Sequence, residues 1–231
     1  MPMLGEAAVA MWWNMAPSQR EEFENWHSHE HFPERMSIPG FLRGSRWASA
    51  DGGEGFFVMY ELDRYDTLTS EGYLQRLNNP TPWSTKMMPH HRDMVRSQCK
   101  RVQSTGGGIG QYALTVRFSP AKGRETEESV YLAAVADAFV NSPGGVAFHV
   151  LRTETPKASE TKEQRIRGGK DAVADWIVIA IGYDLKTLQD LQRAEFGTQM
   201  LEQRGIAPGA LSATYQLAYS LAENDLECIA N

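Results

Sequence analysis

The sequence has few of the features that would assign it quickly to a class. Its 231 residues include only two cysteines, Cys99 and Cys228, which are too few for a disulfide framework and lack the paired spacing of a metal site. No apolar run approaches the roughly 20 residues of a membrane span, and residues 1–17 lack the basic start of a signal peptide. We therefore expect free thiols and a cytoplasmic protein that makes no membrane contact.

Positive charge and nucleotide motifs are also scarce. The formal net charge is −6 and the isoelectric point is near 5.6, so the basic face of a nucleic-acid-binding protein is not expected. The glycine-rich stretch TGGGIG at 105–110 is neither a P-loop nor a dinucleotide fingerprint, and a predicted strand follows it where a phosphate site needs a helix. We interpret it as a linker and expect no organic cofactor.

The chain does carry a clear order of elements. Apolar runs predict four strands, and helical spacing predicts two helices between them. The strands are expected at 7–15, 41–48, 55–62 and 95–102, and the helices at 18–32 and 65–77. An S-x-x-E capping box at Ser18 and Glu21 would begin the first helix, and Pro33 would end it. The order β-α-β-β-α-β is that of a ferredoxin-like unit.

The same order then recurs. Strands are predicted at 111–118, 146–153, 175–184 and 213–221, and helices at 124–141 and 185–203. The turn at 142–144 also takes the place of the turn at 38–40. We therefore predict an α+β protein with two tandem ferredoxin-like halves, residues 1–105 and 106–231. A four-stranded sheet with helices on one face leaves the other face bare. The two antiparallel sheets should therefore pack face to face as one fused barrel.

One pattern in the first half resembles a known family. Phe23, Trp26, His31 and Pro33 form F-x-x-W-x4-H-x-P, and I-P-G-F follows at 38–41. This resembles the EthD-like branch of the dimeric α+β barrel superfamily, whose members have one residue fewer between the Trp and the His. The resemblance covers residues 6–102. It implies isomerases, lyases, decarboxylases or cofactor-free monooxygenases, and some branches of the superfamily bind haem.

The histidine-rich stretch at 26–35 admits two other interpretations. His27 to His31 read H-x-x-E-H, the inverted zinc-protease motif, but a proline follows within a turn and a duplicated ferredoxin-like chain is the wrong scaffold. We predict no metal site here. The remaining alternatives are acid or base catalysis by His31 and His27, with Glu30 or Glu34 raising a neighbour's pKa, and a structural role with His31 as a cation at the helix end.

Two further groups are candidates. Arg43 and Arg46 lie on opposite faces of one predicted strand, and a buried one needs either Glu61 or an anionic substrate group as its partner. The proline-rich stretch at 78–92, with Trp83 and His90, would form a lid or plug the core. Five of the six histidines and five of the six tryptophans lie in the first half, so the cavity is expected there, whereas the polar stretch at 157–171 in the second half is typical of a mobile surface segment.

Together these patterns predict an enzyme without an organic cofactor that acts on a small apolar, aromatic or cyclic compound by proton transfer or bond cleavage. His31 would be the acid or base, helped by His27 or His90. The pocket would be lined by Trp12 or its neighbour Trp13, and by Trp26, Arg43, Arg46, Tyr60 and Trp83. The alternatives are a haem- or metal-binding oxidoreductase or monooxygenase, and a non-catalytic ligand-binding module of a stress response. Both a monomer and a homodimer stay open.

Overall fold

The computed structural model describes residues 3–154, 160–168 and 171–226, so the prediction for Cys228 lies outside the described residues. The strands are β1 (Ala7–Asn14), β2 (Phe41–Ser49), β3 (Gly55–Leu62), β4 (Arg92–Gly106), β5 (Tyr112–Phe118), β6 (Gly145–Thr153), β7 (Trp176–Gly182) and β8 (Leu211–Ala222). The α-helices are α1 (Pro17–Trp26), α2 (Phe32–Met36), α3 (Glu71–Asn78), α4 (Pro82–Met87), α5 (Glu125–Val140), α6 (Lys162–Ile166), α7 (Leu185–Phe196) and α8 (Thr198–Gln203). A π-helix, His27–His31, joins α1 to α2, and 3-10 turns cover Tyr65–Thr69, Met88–His90 and Glu223–Asp225.

The strands close into one antiparallel barrel in the order β1-β3-β2-β8-β5-β7-β6-β4. Within each half the order is fourth, first, third, second, which is that of a ferredoxin-like sheet. The halves join at two equivalent seams, where β2 pairs with β8 and β4 pairs with β6. Closure pairs each of these eight strands on both sides, and it confirms the predicted duplicated ferredoxin-like fold.

The two predicted turns are the same structure used twice. Gly40 and Gly144 both have a positive φ, 93° and 96°, which favours glycine. The carbonyl of Gly40 accepts a 2.9 Å hydrogen bond from the Asp63 backbone N–H, and that of Gly144 accepts one of the same length from Tyr183. Each donor follows the third strand of its half, so this turn ties the first helix to the sheet in the same way in both halves.

Side-chain alternation divides the apolar residues into three cores. One core fills the barrel, and the other two lie between the outer face of each half's sheet and its helices. In β1, Met11 and Trp13 face the helices, whereas Trp12 faces the barrel interior. Neighbouring letters of the sequence therefore belong to different cores.

Several local predictions were wrong. Ser18 makes no capping hydrogen bond, because Pro17 already begins α1 and Ala16 takes the cap position. The helical path does not end at Pro33, since a proline is tolerated in the first turn of the new segment α2. Of the predicted surface segment at 157–171, residues 157–159 and 169–170 lie outside the described residues, and within 160–168 Glu163 of α6 is buried. Within the part of the chain that the structure describes, no helix is long and apolar enough to cross a membrane.

Candidate active site

A cavity lies between the outer face of the first half's sheet and its helices. Its volume is about 40 Å³. Its walls combine apolar and titratable side chains. They are Val9, Met11, Trp13, Trp26, His27, His31, Arg35, Phe41, Tyr60, Tyr73, Leu77, Met88, His91, Met94, Arg96, Glu163 and Arg167. An apolar pocket with a few converging polar groups is the usual form of a small-molecule site.

The π-helix places two histidines on the cavity wall. Its wide turn is marked by a backbone hydrogen bond from Phe32 to the carbonyl of His27, five residues back. Such a turn absorbs one additional residue within a helix, and these turns are frequent at functional sites. His27 and His31 are consequently both buried, and their rings stack with centroids 5.2 Å apart. His29 is exposed on the opposite side, where its Nδ1 lies 3.0 Å from the carbonyl of Asn25.

Arg46 holds the ring of His27. Its Nη1 lies 3.3 Å from Nδ1 of His27, while Nη2 donates to Ser28 Oγ at 3.1 Å. A guanidinium has only donors, so Nδ1 of His27 must be the acceptor. Burial, followed by the charge of Arg46, lowers the pKa of His27 well below its usual value of 6.5. This ring is therefore neutral at pH 7.

His31 has a different environment. Its Nδ1 is buried and has no hydrogen-bond partner in the described chain, and the nearest carboxylate oxygen, Oε2 of Glu34, is 3.9 Å away. Burial, followed by the charge of Arg35, lowers the pKa of His31 well below 6.5. The expected rise of a histidine pKa by a neighbouring glutamate is thus not seen. A cationic cap at the helix end is also inconsistent with this site.

Glu30 is turned away from both histidines. Its Oε1 accepts hydrogen bonds from Trp26 Nε1 at 3.1 Å and from Thr81 Oγ1 at 2.5 Å. It therefore connects the π-helix to the start of α4. It cannot serve as the base of a zinc protease from that position. No group of three or more His, Cys, Asp or Glu side chains that could hold a metal occurs among residues 3–154, 160–168 and 171–226.

Other polar atoms of the cavity wall also lack partners. Trp13 Nε1 and Tyr60 Oη are buried without a hydrogen bond to any residue that the structure describes. Arg35 Nη1 is likewise without a hydrogen bond, although Oε2 of Glu34 lies within 3.5 Å. A buried polar group without a partner costs about 1–3 kcal/mol. A ligand that accepted hydrogen bonds from several such donors around one cavity would therefore recover part of this cost.

The second half contributes charged residues to this cavity. Arg35 forms a buried ion pair with Glu163 of α6, and Arg167 lies 3.8 Å from the same carboxylate. Arg167 is also paired with Asp171 at 2.9 Å. Arg96 of β4 donates to Tyr73 Oη at 2.6 Å. The charged end of the cavity is thus built from both halves.

His91 lines the cavity, and His90, the predicted residue, does not. Nδ1 of His91 lies 3.1 Å from the carbonyl of Met88. Its ring contacts Trp13 at a centroid distance of 4.8 Å. Burial lowers the pKa of His91 to about 3. The only signal in the sequence was the histidine pair itself, because which of two neighbours points inward depends on the 3-10 turn before β4.

The remaining predicted residues divide between the cavity and other places. Trp26 and Tyr60 line the cavity, and Arg46 supports it through His27. Trp12 lies inside the barrel, where Nε1 donates to Thr115 Oγ1 at 3.1 Å. Arg43 is paired with Glu61 at 2.7 Å, the salt bridge expected for one of the two arginines. Trp83 is half-buried against the outside of the first core.

Comparisons by sequence give nothing: no family model matches, and neither does any curated protein. Comparison by structure gives many matches over nearly the whole chain. An anthrone oxidase-like protein matches with a TM-score of 0.65 and 12% identity, over 94% of this chain and 93% of its own. A monooxygenase-like protein from Fusobacterium nucleatum has a TM-score of 0.58 and 8% identity, over 95% and 96%. Another monooxygenase-like protein, from Lactobacillus acidophilus, has a TM-score of 0.58 and 9% identity, over 95% of this chain and 97% of its own.

Identities this low establish the fold alone. The chain therefore has a duplicated ferredoxin-like α+β fold, with both halves in one polypeptide closed into a single barrel.

Proposed function

We propose that the protein is an enzyme that acts on a small apolar, aromatic or cyclic compound by imidazole-assisted proton transfer in this cavity. The observation that carries the proposal is Nδ1 of His31, which is buried at the cavity wall without a hydrogen bond to a described residue. A neutral imidazole in that state is available to take a proton from a bound molecule. His27 packs against its face, and we keep it as the second histidine of the site.

The other unpartnered groups support this chemistry. Removing a proton next to a carbonyl or from a hydroxyl leaves negative charge on an oxygen. Three buried donors could stabilise that charge by hydrogen bonds without reorganising: Tyr60 Oη, Trp13 Nε1 and Arg35 Nη1. Burial raises the pKa of Tyr60, so its hydroxyl keeps its proton. His31 would then return the proton at another carbon, which is an isomerisation, or to a leaving group, which is a cleavage.

Oxygenation is a second candidate, favoured by the monooxygenase-like and anthrone oxidase-like structural neighbours. The same first step gives a carbanion. Attack on dioxygen forms a peroxide anion, which takes up the proton from His31. Loss of water then leaves a ketone where the substrate had a CH₂ group. This route needs the same residues and differs only in the second reactant.

A haem group does not fit this cavity. Drug-sized ligands occupy pockets of roughly 300–1,000 Å³, and a haem is no smaller than such a ligand, whereas the volume of this cavity is about 40 Å³. A single ring is also larger than the cavity as it stands, since benzene is bound by a cavity of about 150 Å³. Met88 and Met94 line the cavity, and methionine side chains adapt their shape easily, so their movement would supply the missing space. We therefore propose a substrate of one or two rings.

The EthD-like assignment stays a proposal, supported by one structural feature. The residue by which the Trp–His spacing exceeds the family pattern falls in the π-helix, which absorbs one residue without turning His31 away from the cavity.

The test is turnover of a panel of one- and two-ring ketones, phenols and lactones, with and without dioxygen. His31→Gln should lower kcat by about 100-fold or more, since general acid–base catalysis contributes 10²–10⁴. His29→Gln is the matched control, because this exposed histidine of the same π-helix should leave kcat unchanged. Equal effects of the two substitutions would remove His31 from the mechanism. Product formation only with dioxygen would select oxygenation.

A further inference from the structure

The hydrogen bonds made by two cavity histidines determine which ring nitrogen of each carries the proton. A backbone carbonyl can only accept, so Nδ1 of His91 must donate to Met88 and its Nε2 must be the bare nitrogen. An arginine can only donate, so Nδ1 of His27 must accept from Arg46 and its Nε2 must carry the hydrogen. The two neutral rings are therefore opposite tautomers.

Both rings surround the same part of the cavity. His27 and His91 each contact Trp13, at centroid distances of 5.9 and 4.8 Å, and each contacts Trp26, at 5.5 and 6.0 Å. In both rings Nδ1 is occupied by the protein, and Nε2 makes no hydrogen bond to a described residue. The cavity thus offers one imidazole donor and one imidazole acceptor to a ligand.

We infer that the cavity selects ligands that carry both a hydroxyl group and a carbonyl oxygen on a small apolar frame. The hydroxyl donates to Nε2 of His91, and the carbonyl accepts from Nε2–H of His27. Hydroxyaryl ketones and enolised diketones have this pair of groups. The inference deepens the proposed function, because it names the substrate class for the same site.

The three histidines then have separate roles. His27 and His91 are binding residues whose tautomers the protein maintains. His31 makes no hydrogen bond within the described chain, so it alone can change from acceptor to donor as a proton moves. Two rings with fixed tautomers can hold a ligand in one orientation, while the third ring, which can exchange its proton, transfers it.

The first test is NMR of the full chain with isotope-labelled histidine, which distinguishes the two tautomers by the nitrogen that carries the hydrogen. We expect His91 as the Nδ1–H form and His27 as the Nε2–H form without any ligand. The opposite form at either residue, or a mixture of forms, would overturn the inference. This measurement needs no substitution and no substrate.

The second test compares three single-ring probes by calorimetry. We expect para-hydroxyacetophenone to bind about ten-fold more tightly than para-methylacetophenone, which lacks the donor, and than para-ethylphenol, which lacks the acceptor. In His91→Phe the preference for hydroxyl over methyl should disappear, while the preference for carbonyl over ethyl remains. His90→Phe, one residue away and outside the cavity, should keep both preferences.

Failure to bind any probe, or a hydroxyl preference that survives in His91→Phe, would contradict the inference. If His91→Phe does not fold, His91→Met carries the same expectation. Neither test measures turnover. A protein with the expected tautomers and affinities but no reaction would refute the proposed function and leave this inference intact.

Discussion

The ion pair between Arg35 and Glu163 gives the sharpest prediction about stability. The two residues lie 128 positions apart, and their side chains are 4% and 5% exposed. In Arg35→Met, the one remaining cation within 4 Å of Glu163 among the described residues is Arg167, at 3.8 Å. Removing one partner of a buried pair costs about 3–5 kcal/mol, because the other charge stays buried without adequate compensation. We expect a loss of this size in the free energy of unfolding.

The double variant Arg35→Met with Glu163→Met separates this cause from simple loss of packing. Replacing a buried pair by apolar residues of similar volume is often neutral. The double variant should therefore cost no more than either single one, which corresponds to a coupling energy of at least about 3 kcal/mol. Urea unfolding monitored by tryptophan fluorescence measures all of these changes.

An exposed pair provides the control. Lys86 and Glu22 connect α4 to α1, with side chains 60% and 38% exposed. Lys86→Met should cost less than about 1 kcal/mol, as is usual for surface ion pairs. The reasoning is refuted if Arg35→Met costs no more than Lys86→Met. Strictly additive losses in the double variant would also show that the charges of Arg35 and Glu163 do not compensate each other.

Three further predictions concern packing, the π-helix and pH. A Cβ at Gly44 would lie 2.4 Å from the ring of Phe32, so Gly44→Ala should cost about 1–3 kcal/mol in urea unfolding, whereas Gly72→Ala, whose nearest contact is 4.0 Å, should not. Deleting His29 should convert the π-helix to an α-helix with no loss of unfolding free energy in urea, and calorimetry should still detect probe binding, because the π-helix absorbs one residue without turning His31 away from the cavity. His149 has a folded-state pKa lowered from 6.5 to about 4 by burial, so the stability it contributes is present above pH 6.5 and is lost as the pH falls towards 4. The loss is about 2 kcal/mol by pH 5, and the stability difference between pH 8 and pH 5 should shrink by that amount in His149→Gln.

The architecture could be predicted from the sequence because each strand is a short apolar run between turn residues, and because the order occurs twice. β3 has the predicted bounds, 55–62, and the two proline–glycine turns accept the same backbone hydrogen bond from the residue after the third strand of their half. The ends of the helices were predicted less well than those of the strands. The pentapeptide at 27–31 fits an α-helix and a π-helix equally well as a pattern, so the sequence alone does not distinguish the two.

The site could be predicted only in part. His27 and His31 could be proposed from the sequence because they lie on the helix that resembles the family pattern, and Tyr60 because it lies in a predicted buried strand. Arg35 and Glu163 were missed, since a buried charge is foreseen only when its distant partner is known. The one local signal was the capping box at Thr161 and Gln164, which indicates that a helix begins inside the polar stretch and makes burial of part of it plausible.

The two halves differ in what lies between the sheet and its first helix. In the second half, α5 covers its sheet with the apolar side chains of Leu132, Val135 and Phe139. In the first half, the equivalent position holds His27 and His31, beside polar atoms without partners that cost about 1–3 kcal/mol each. A domain is stable by only about 5–15 kcal/mol in total. Two identical chains would incur these costs twice. A fused duplication allows one half to keep the proposed active-site cavity, while the other has an apolar core in the equivalent place and contributes charged residues to the end of that cavity.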